Sequence, residues 1–328
     1  MPTISINQRP GHLLPATPNT PAAPTTPPLH LDPPSQSAPW QARLTLAFGR
    51  DGDTTRLSGR SHSGPLRVQK PLYPEGAAIC HAIILHPPGG VVGGDRLAID
   101  VKLAQGAHAL LCTPGAGKWY KANGRVSQQD LTLTVGPQAT LEWLPQESIF
   151  FDAANVLWQQ NIHLAANANY IGWEILCFGR TASGEGFASG ALRQSSRIWR
   201  GGKLIWFEQG KIDGQPGGVL HNALGLRGKT VCATLLAVGK PLSAASLNLI
   251  REEVAQLLYH ANAADKDGAG GTPGTAGEFG LSQTKAVLVA RYLGDSSELA
   301  RRIMLTVWHH VRPQLLGCAA VVPRIWNT

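Results

Sequence analysis

Between Trp40 and about Lys240, apolar residues recur largely at every second position, in short runs broken by Gly, Pro and Asn. A period of two puts one row of side chains on each face of a strand, so these runs predict half-buried strands. They cover 43–48, 65–73, 98–104, 131–135, 139–144, 156–164, 169–178, 192–200 and 203–212. Many short strands at regular spacing predict stacked sheets, a barrel or an irregular β-solenoid. The period then changes. At 245–260, Leu247, Ile250, Val254, Leu257 and Leu258 share one face of a helix. Residues 285–292 read as a strand again. Asp295 and Glu298 resemble a capping box for a helix carrying Leu299, Ile303, Val307 and Val311, which Pro313 is expected to end. The expected fold is mainly β, with stacked sheets or a β-helical body and two helices in the C-terminal half.

Two segments carry no such pattern. Residues 1–39 hold eleven of the 24 prolines, and a segment so short of backbone donors and apolar surface is expected to be a disordered tail. Residues 262–280 contain six glycines and one proline and read as a flexible insertion. The remainder, 40–328, is expected to form one β-rich domain.

With 43% hydrophobic residues in 328, a sizeable core is affordable, and 15% charged residues leave a sparsely charged surface. The formal charge of +8 comes from scattered Lys and Arg, with no basic run. That argues against a nucleic-acid footprint and for an acidic partner surface. Cys80, Cys112, Cys177, Cys232 and Cys318 lie far apart, without a CxxC pair, so neither a disulfide framework nor a zinc knuckle is indicated. Reduced thiols fit the cytosol. The N-terminus lacks the apolar stretch of a signal peptide, and no run of about 18 apolar residues predicts a membrane span. The expected location is cytoplasmic.

Enzyme signatures fail one by one. TPGAGKWY (113–120) has Cys112 where a phosphate loop needs its first Gly, and Trp119 where it needs Ser or Thr. GGVVGG (89–94) is wrongly spaced for a dinucleotide site, and SGEGFASG (183–190) contains no nucleophile elbow. In a strand over 80–86, Cys80 and His86 share a face and His81 takes the other, so a metal site from these three needs a bend. Packed or surface histidines are the simpler reading. His309 and His310 diverge by about 100° on their helix, a poor chelating pair.

LHPPGGVVGGDRL (85–97) is a different matter. His86, Pro87, Pro88, Gly89 and Gly90 end a strand with a rigid turn, and Gly93, Gly94 and Asp95 turn again. This segment resembles the HPPGG-x-VGGD motif of the UreD family, called UreH in some species. TPGAGKWY is similar to that family's TPGA-x-KFYR, and LEWLPQESIFFDAA (141–154) to its EWLPQE-x-I-x-FDGA. GWEILCFGRTASGEGFASG (172–190) and RPQLLGCAAVVPRIWNT (312–328) resemble two further family segments, in the family's order. Departures are Thr181 for Pro, Trp119-Tyr120-Lys121 for Phe-Tyr-Arg, and Arg96 where relatives often carry an acid.

The resemblance implies a non-catalytic urease accessory protein with a β-helical body. It also implies partners UreF, the GTPase UreG and the urease apoprotein, with nickel passing through the body. No tightly bound cofactor is expected; Ni2+ is cargo. Asp95, Glu174 and Glu208 match the family's conduit acids motif by motif. Strand alternation independently groups Glu174 with Leu176 and Phe178, and Glu208 with Leu204 and Trp206, so both acids have apolar neighbours. A carboxylate in a dry core would take up a proton, whereas a water-filled passage relieves that penalty. Salt bridging to Lys or Arg, or a strand edge, is the plainer alternative. Glu142, Glu147, Asp152 and Glu185 sit in motifs without a separable role. Carboxylates hold Ni2+ more weakly than imidazole does, which suits transit rather than storage. Arg324, Ile325 and Trp326 are expected to bury against the body or a partner, UreF by resemblance. Two rival readings are a pure adaptor without a metal path and a β-solenoid carbohydrate-active enzyme with paired carboxylates in an open groove.

Overall fold

A computed structural model describes residues 39–267 and 276–327. The expectations for the proline-rich tail and for the middle of the glycine-rich insertion fall outside these residues. The chain enters on an antiparallel pair, β1 (Gln41–Asp51) and β2 (Thr54–Ser63), followed by β3 (Arg67–Val68) and β4 (Ile79–Leu85). Next come β5 (Arg96–Leu103), β6 (His108–Cys112) and the short β7 (Gly117–Trp119). The cycle repeats as β8 (Ser127–Val135), β9 (Thr140–Leu144) and the short β10 (Ser148–Phe150), then β11 (Asn155–Leu164) and β12 (Asn169–Phe178). Antiparallel β13 (Ala191–Arg200) and β14 (Lys203–Asp213) close one sheet. The remainder is β15 (Val231–Val238), α1 (Ala244–Asp267), β16 (Glu278–Thr284), β17 (Val287–Gly294) and α2 (Ser297–Leu316).

Successive strands alternate between two sheets, and like strands of successive coils pair in parallel, which is a solenoid. One sheet has the order β14-β13-β11-β8-β5-β1-β2; the other runs β16-β17-β15-β12-β9-β6-β4-β3, with β10 and β7 branching from β12. The expected stacked-sheet, β-helical body with two late helices is the fold observed. Its first core lies between the sheets, around Leu44, Val101, Leu133, Ile162 and Phe178. A second core lies between the β12 sheet and the helices, where Trp173 and Ile175 meet Ile303, Val307 and Trp308.

Local expectations needed four corrections. The strand expected at 65–73 shrinks to Arg67–Val68, because Pro65, Pro71 and Pro74 cannot donate to a ladder. α1 extends to Asp267 and β16 begins at Glu278, so both ends of the expected insertion are regular structure. The cap of α2 is Ser296, whose side chain accepts from the Leu299 N–H, not Asp295. Asp295 instead accepts from the Thr230 N–H and pairs with Lys229. Pro313 does not stop the helix either. It lies in the last turn, which closes at Gly317 in the left-handed conformation with φ 73°.

Candidate functional site

The HPPGG turn follows β4 and crosses the end of the sandwich. Here the backbone approaches its neighbours so closely that side chains are excluded. A Cβ on Gly90 would lie 2.6 Å from the Tyr120 ring, and one on Gly93 would run into the Ala122 carbonyl. Asp95 is buried and accepts from the Trp40 N–H at 2.8 Å and the Val92 N–H at 3.1 Å. Its carboxylate pins this turn to the start of β1 and lines neither cavity described below. The expectation that Asp95 joins Glu174 and Glu208 in one channel is therefore not met by the geometry: two backbone donors draw its carboxylate into the turn. His86 faces inward instead, and its Nε2 is buried without a hydrogen-bond partner. Burial holds this imidazole below its ordinary pKa, against the opposing pull of nearby Asp95.

Alternation along β12 sends Trp173, Ile175 and Cys177 towards the helices, and Glu174, Leu176 and Phe178 into the space between the sheets. Across the sheet, Glu174 is in register with Thr234, and Thr234 with Arg291. On the opposing sheet Gln160 is in register with Ser196, and Ser196 with Glu208. Two polar rows thus face each other inside an otherwise apolar sandwich. A bulge opposite Ile198 and Trp199 breaks the expected grouping on β14: Trp206 and Glu208 point inward, while Leu204 is exposed.

Two cavities meet at Glu174. The first, about 230 Å³, reaches from the HPPGG turn and the TPGA loop, past His86 and Trp119, to Trp158 and Glu174. The second, about 60 Å³, runs from Glu174 past Ser196 to Glu208 and Arg291. Trp143 and Trp158 are walls of both. Three buried polar atoms without partners line these spaces: His86 Nε2 in the first, and Gln194 Oε1 and Ser196 Oγ in the second. Buried polar atoms in native folds find partners, water included, so the lining suits a hydrated space. Glu174 lies deep in the molecule, yet its surface is reachable from the cavities. Burial raises its pKa to about 7, the Trp158 N–H opposes that rise, and the negative charge of Glu208 adds to it. Glu208 pairs with Arg291 at 2.7 Å. Cys232 completes the wall, its thiol pushed up to about 11 by burial. Among the described residues, no group of three or more His, Cys, Asp and Glu side chains is placed to hold a metal ion. The two carboxylates that share a cavity lie between the sheets rather than along an open groove.

Residues 41–327 match the family model described as UreD urease accessory protein. The chain belongs to the UreD family. It is 57% identical over 288 residues to a urease accessory protein UreD from Janthinobacterium sp. (strain Marseille), covering 88% of this chain and 92% of that one. Proteins of the same name from Nitrosospira multiformis and Dechloromonas aromatica are 45% and 44% identical, covering 90% and 92% of this chain and 100% and 99% of theirs.

Several UreD motif residues prove to be ties between distant segments. Glu142 and Arg312 are both fully buried. The Arg312 guanidinium forks onto Glu142 through Nε at 2.9 Å and Nη2 at 3.0 Å, and onto Glu75 through Nη1 at 2.6 Å and Nη2 at 2.9 Å. Trp308 Nε1 donates to Glu142 at 2.8 Å, and His108 and His81 complete the cluster on Glu142 and Glu75. Burial pushes the Glu142 carboxyl up, but the His108 hydrogen bond and the Arg312 charge outweigh it, and it sits below its ordinary value. Asp152 accepts from the Ser189 N–H and Glu185 from the Asp152 N–H, so these acids fold loops. Sequence reasoning missed Glu75 and the inward polar positions Gln160, Ser196 and Thr234. Polar residues at the apolar phase of β11, β13 and β15 were the available signal. At the C-terminus, Trp326 donates to the Thr113 carbonyl at 3.1 Å and packs 5.8 Å from Trp173. Ile325 packs on the same core, while Arg324 is exposed. No described helix is long and apolar enough to cross a membrane.

Proposed function

We propose that this UreD-family chain serves urease maturation as a scaffold and as a conduit for Ni2+ to the urease apoprotein, in complex with UreF and UreG. The observation that carries this reading is the pair of cavities that share Glu174 between two apolar sheet faces, with polar groups spaced along them. They run from His86 through Glu174 to Glu208 and have three unpartnered buried polar atoms along them. An adaptor has no use for such a lane, because inward polar residues weaken a core unless they are satisfied.

The donor set suits passage. A neutral imidazole at His86 is a good nickel ligand, and the carboxylates are weaker ones. At neutral pH Glu174 is divided between acid and carboxylate. An arriving cation would displace its proton, and the proton would return once the ion has left. Cys232 remains a thiol under these conditions and gives no thiolate to trap the ion. Sites that bind weakly and in series favour release, as conduction requires. Asp95 contributes by holding the HPPGG turn that places His86. The outward rows of β13 and β14 carry Arg193, Arg197 and Lys211, which suit an acidic partner.

The test is urease activation in cells co-expressing the urease and accessory genes, with Glu174→Gln, Glu208→Gln and the double variant. Urease activity and bound nickel should fall in each single variant and further in the double, while the complex still assembles. Normal activation by the double variant would leave the pure adaptor.

A further inference from the structure

The second cavity ends at the margin of the sandwich. β14 is an edge strand, and there the sheets are bridged by one ion pair, Arg291 of β17 with Glu208 of β14. Of the residues lining this cavity, Arg291 alone is exposed, with its side chain 45% accessible against 28% for Glu208. The guanidinium makes a single 2.7 Å bond to Glu208 Oε2 and stands 6.0 Å from the Trp206 ring. The cavity is thus capped by one long cation held through a single contact. Arg312 shows what a permanent tie looks like here: it is fully buried and forks onto two carboxylates. A partly solvated pair with one contact adds little stability and opens readily.

Resting on the conduit reading above, we propose that the Arg291–Glu208 pair is a gate at the lateral mouth of the passage. A divalent cation crossing this mouth must displace Arg291 from Glu208, and the guanidinium returns once the ion has gone. The closed pair holds the positive charge of Arg291 across the mouth, where it repels an approaching cation. No covalent or redox step is involved. The ion takes the place of one cation on a carboxylate, and the released guanidinium turns to solvent.

Arg291→Met removes the charge and keeps an unbranched chain, whereas Arg291→Lys retains a cation that can reach Glu208. Both are compared with the parent chain and with Glu174→Gln in the assembled accessory complex, activating apo-urease at limiting Ni2+. The initial rate is read per assembled complex, and the melting temperature is read in parallel. The gate predicts that Arg291→Met raises the initial rate at least threefold, that Arg291→Lys stays within about twofold of the parent, and that Glu174→Gln lowers the rate. An unchanged or lowered rate for Arg291→Met beside a lowered rate for Glu174→Gln overturns the gate and leaves the conduit standing. A loss of melting temperature in Arg291→Met with no change in rate likewise overturns it, since the pair is then only a structural clip. Should Glu174→Gln activate normally, the conduit fails and the gate with it.

Discussion

Arg312→Met should be the most damaging single substitution in the second half of the chain. The guanidinium is fully buried and makes bidentate contacts with both Glu142 and Glu75, whose side chains are 0% and 6% accessible. Methionine fills much of the volume but leaves two carboxylates facing each other without their cation. Breaking a buried pair from one side costs about 3–5 kcal/mol. At roughly 2–4 °C per kcal/mol for a chain of this order of size, the melting temperature should drop by roughly 6–20 °C. Arg43→Met is the control. Its pair with Asp100 leaves the Arg43 side chain 64% accessible, and exposed pairs contribute only about 0–1 kcal/mol. The pH dependence gives a second check. Glu142 and Glu75 are held below the ordinary carboxylate value, so their contribution is present above the unfolded pKa and is lost as pH falls through the folded one. Without Arg312 the His108 and His81 hydrogen bonds remain but the folded pKa values rise, so less of this acid-side slope should be left. The assay is thermal unfolding of the purified chain by circular dichroism between acid and neutral pH. A melt within about 2 °C of the parent, or an unchanged pH slope, would refute the structural reading of this cluster.

Glu174→Gln should flatten a different slope. A carboxyl raised from 4.5 to about 7 binds its proton more tightly in the folded state, so stability falls as pH rises through that window. The difference amounts to roughly 3 kcal/mol, and chemical denaturation at acid and neutral pH should show the variant losing it. Gly93→Ala should destabilise by about 1–3 kcal/mol or prevent folding, since its Cβ meets the Ala122 backbone; a melt equal to the parent's would contradict that approach. Trp326→Ala should cost roughly 2 kcal/mol, less than a fully buried tryptophan, by loss of its packing on Trp173, with equilibrium unfolding as the check. Removing residues 2–38 should leave the melting temperature unchanged, because the family match begins at residue 41; a shift of several degrees would give the tail a structural part.

Alternation in β1, β5, β8, β9 and β11–β14 made the strands legible, because each has one apolar face on a core. The pairing order was not legible, since a solenoid brings together strands one coil apart and no repeat consensus marks the coil. The placement of Glu174 followed from period-two logic on β12. The same logic failed on β14, where the bulge shifts the phase and turns Leu204 outward. Asp95 was assigned by motif, and a motif does not say where a carboxylate points; two backbone N–H groups decide it. The Arg312 cluster was out of reach because Arg312, Glu142 and Glu75 are 170 and 237 residues apart in pairing. Nothing local identifies such partners.

If Ni2+ travels between the sheets past Glu174, filling the space beside that residue must stop it. Ser196 lies on the wall of the second cavity, in register with Gln160 and Glu208 and away from the outer faces. Ser196→Phe should fill the lane without touching an acid. The decisive measurement is nickel per urease active site after activation by complexes carrying Ser196→Phe or the parent chain, with equal complex recovered by pull-down. Urease activated by the Ser196→Phe complex should carry several-fold less nickel while the complex stays intact. Full nickel loading through the filled lane would contradict this route.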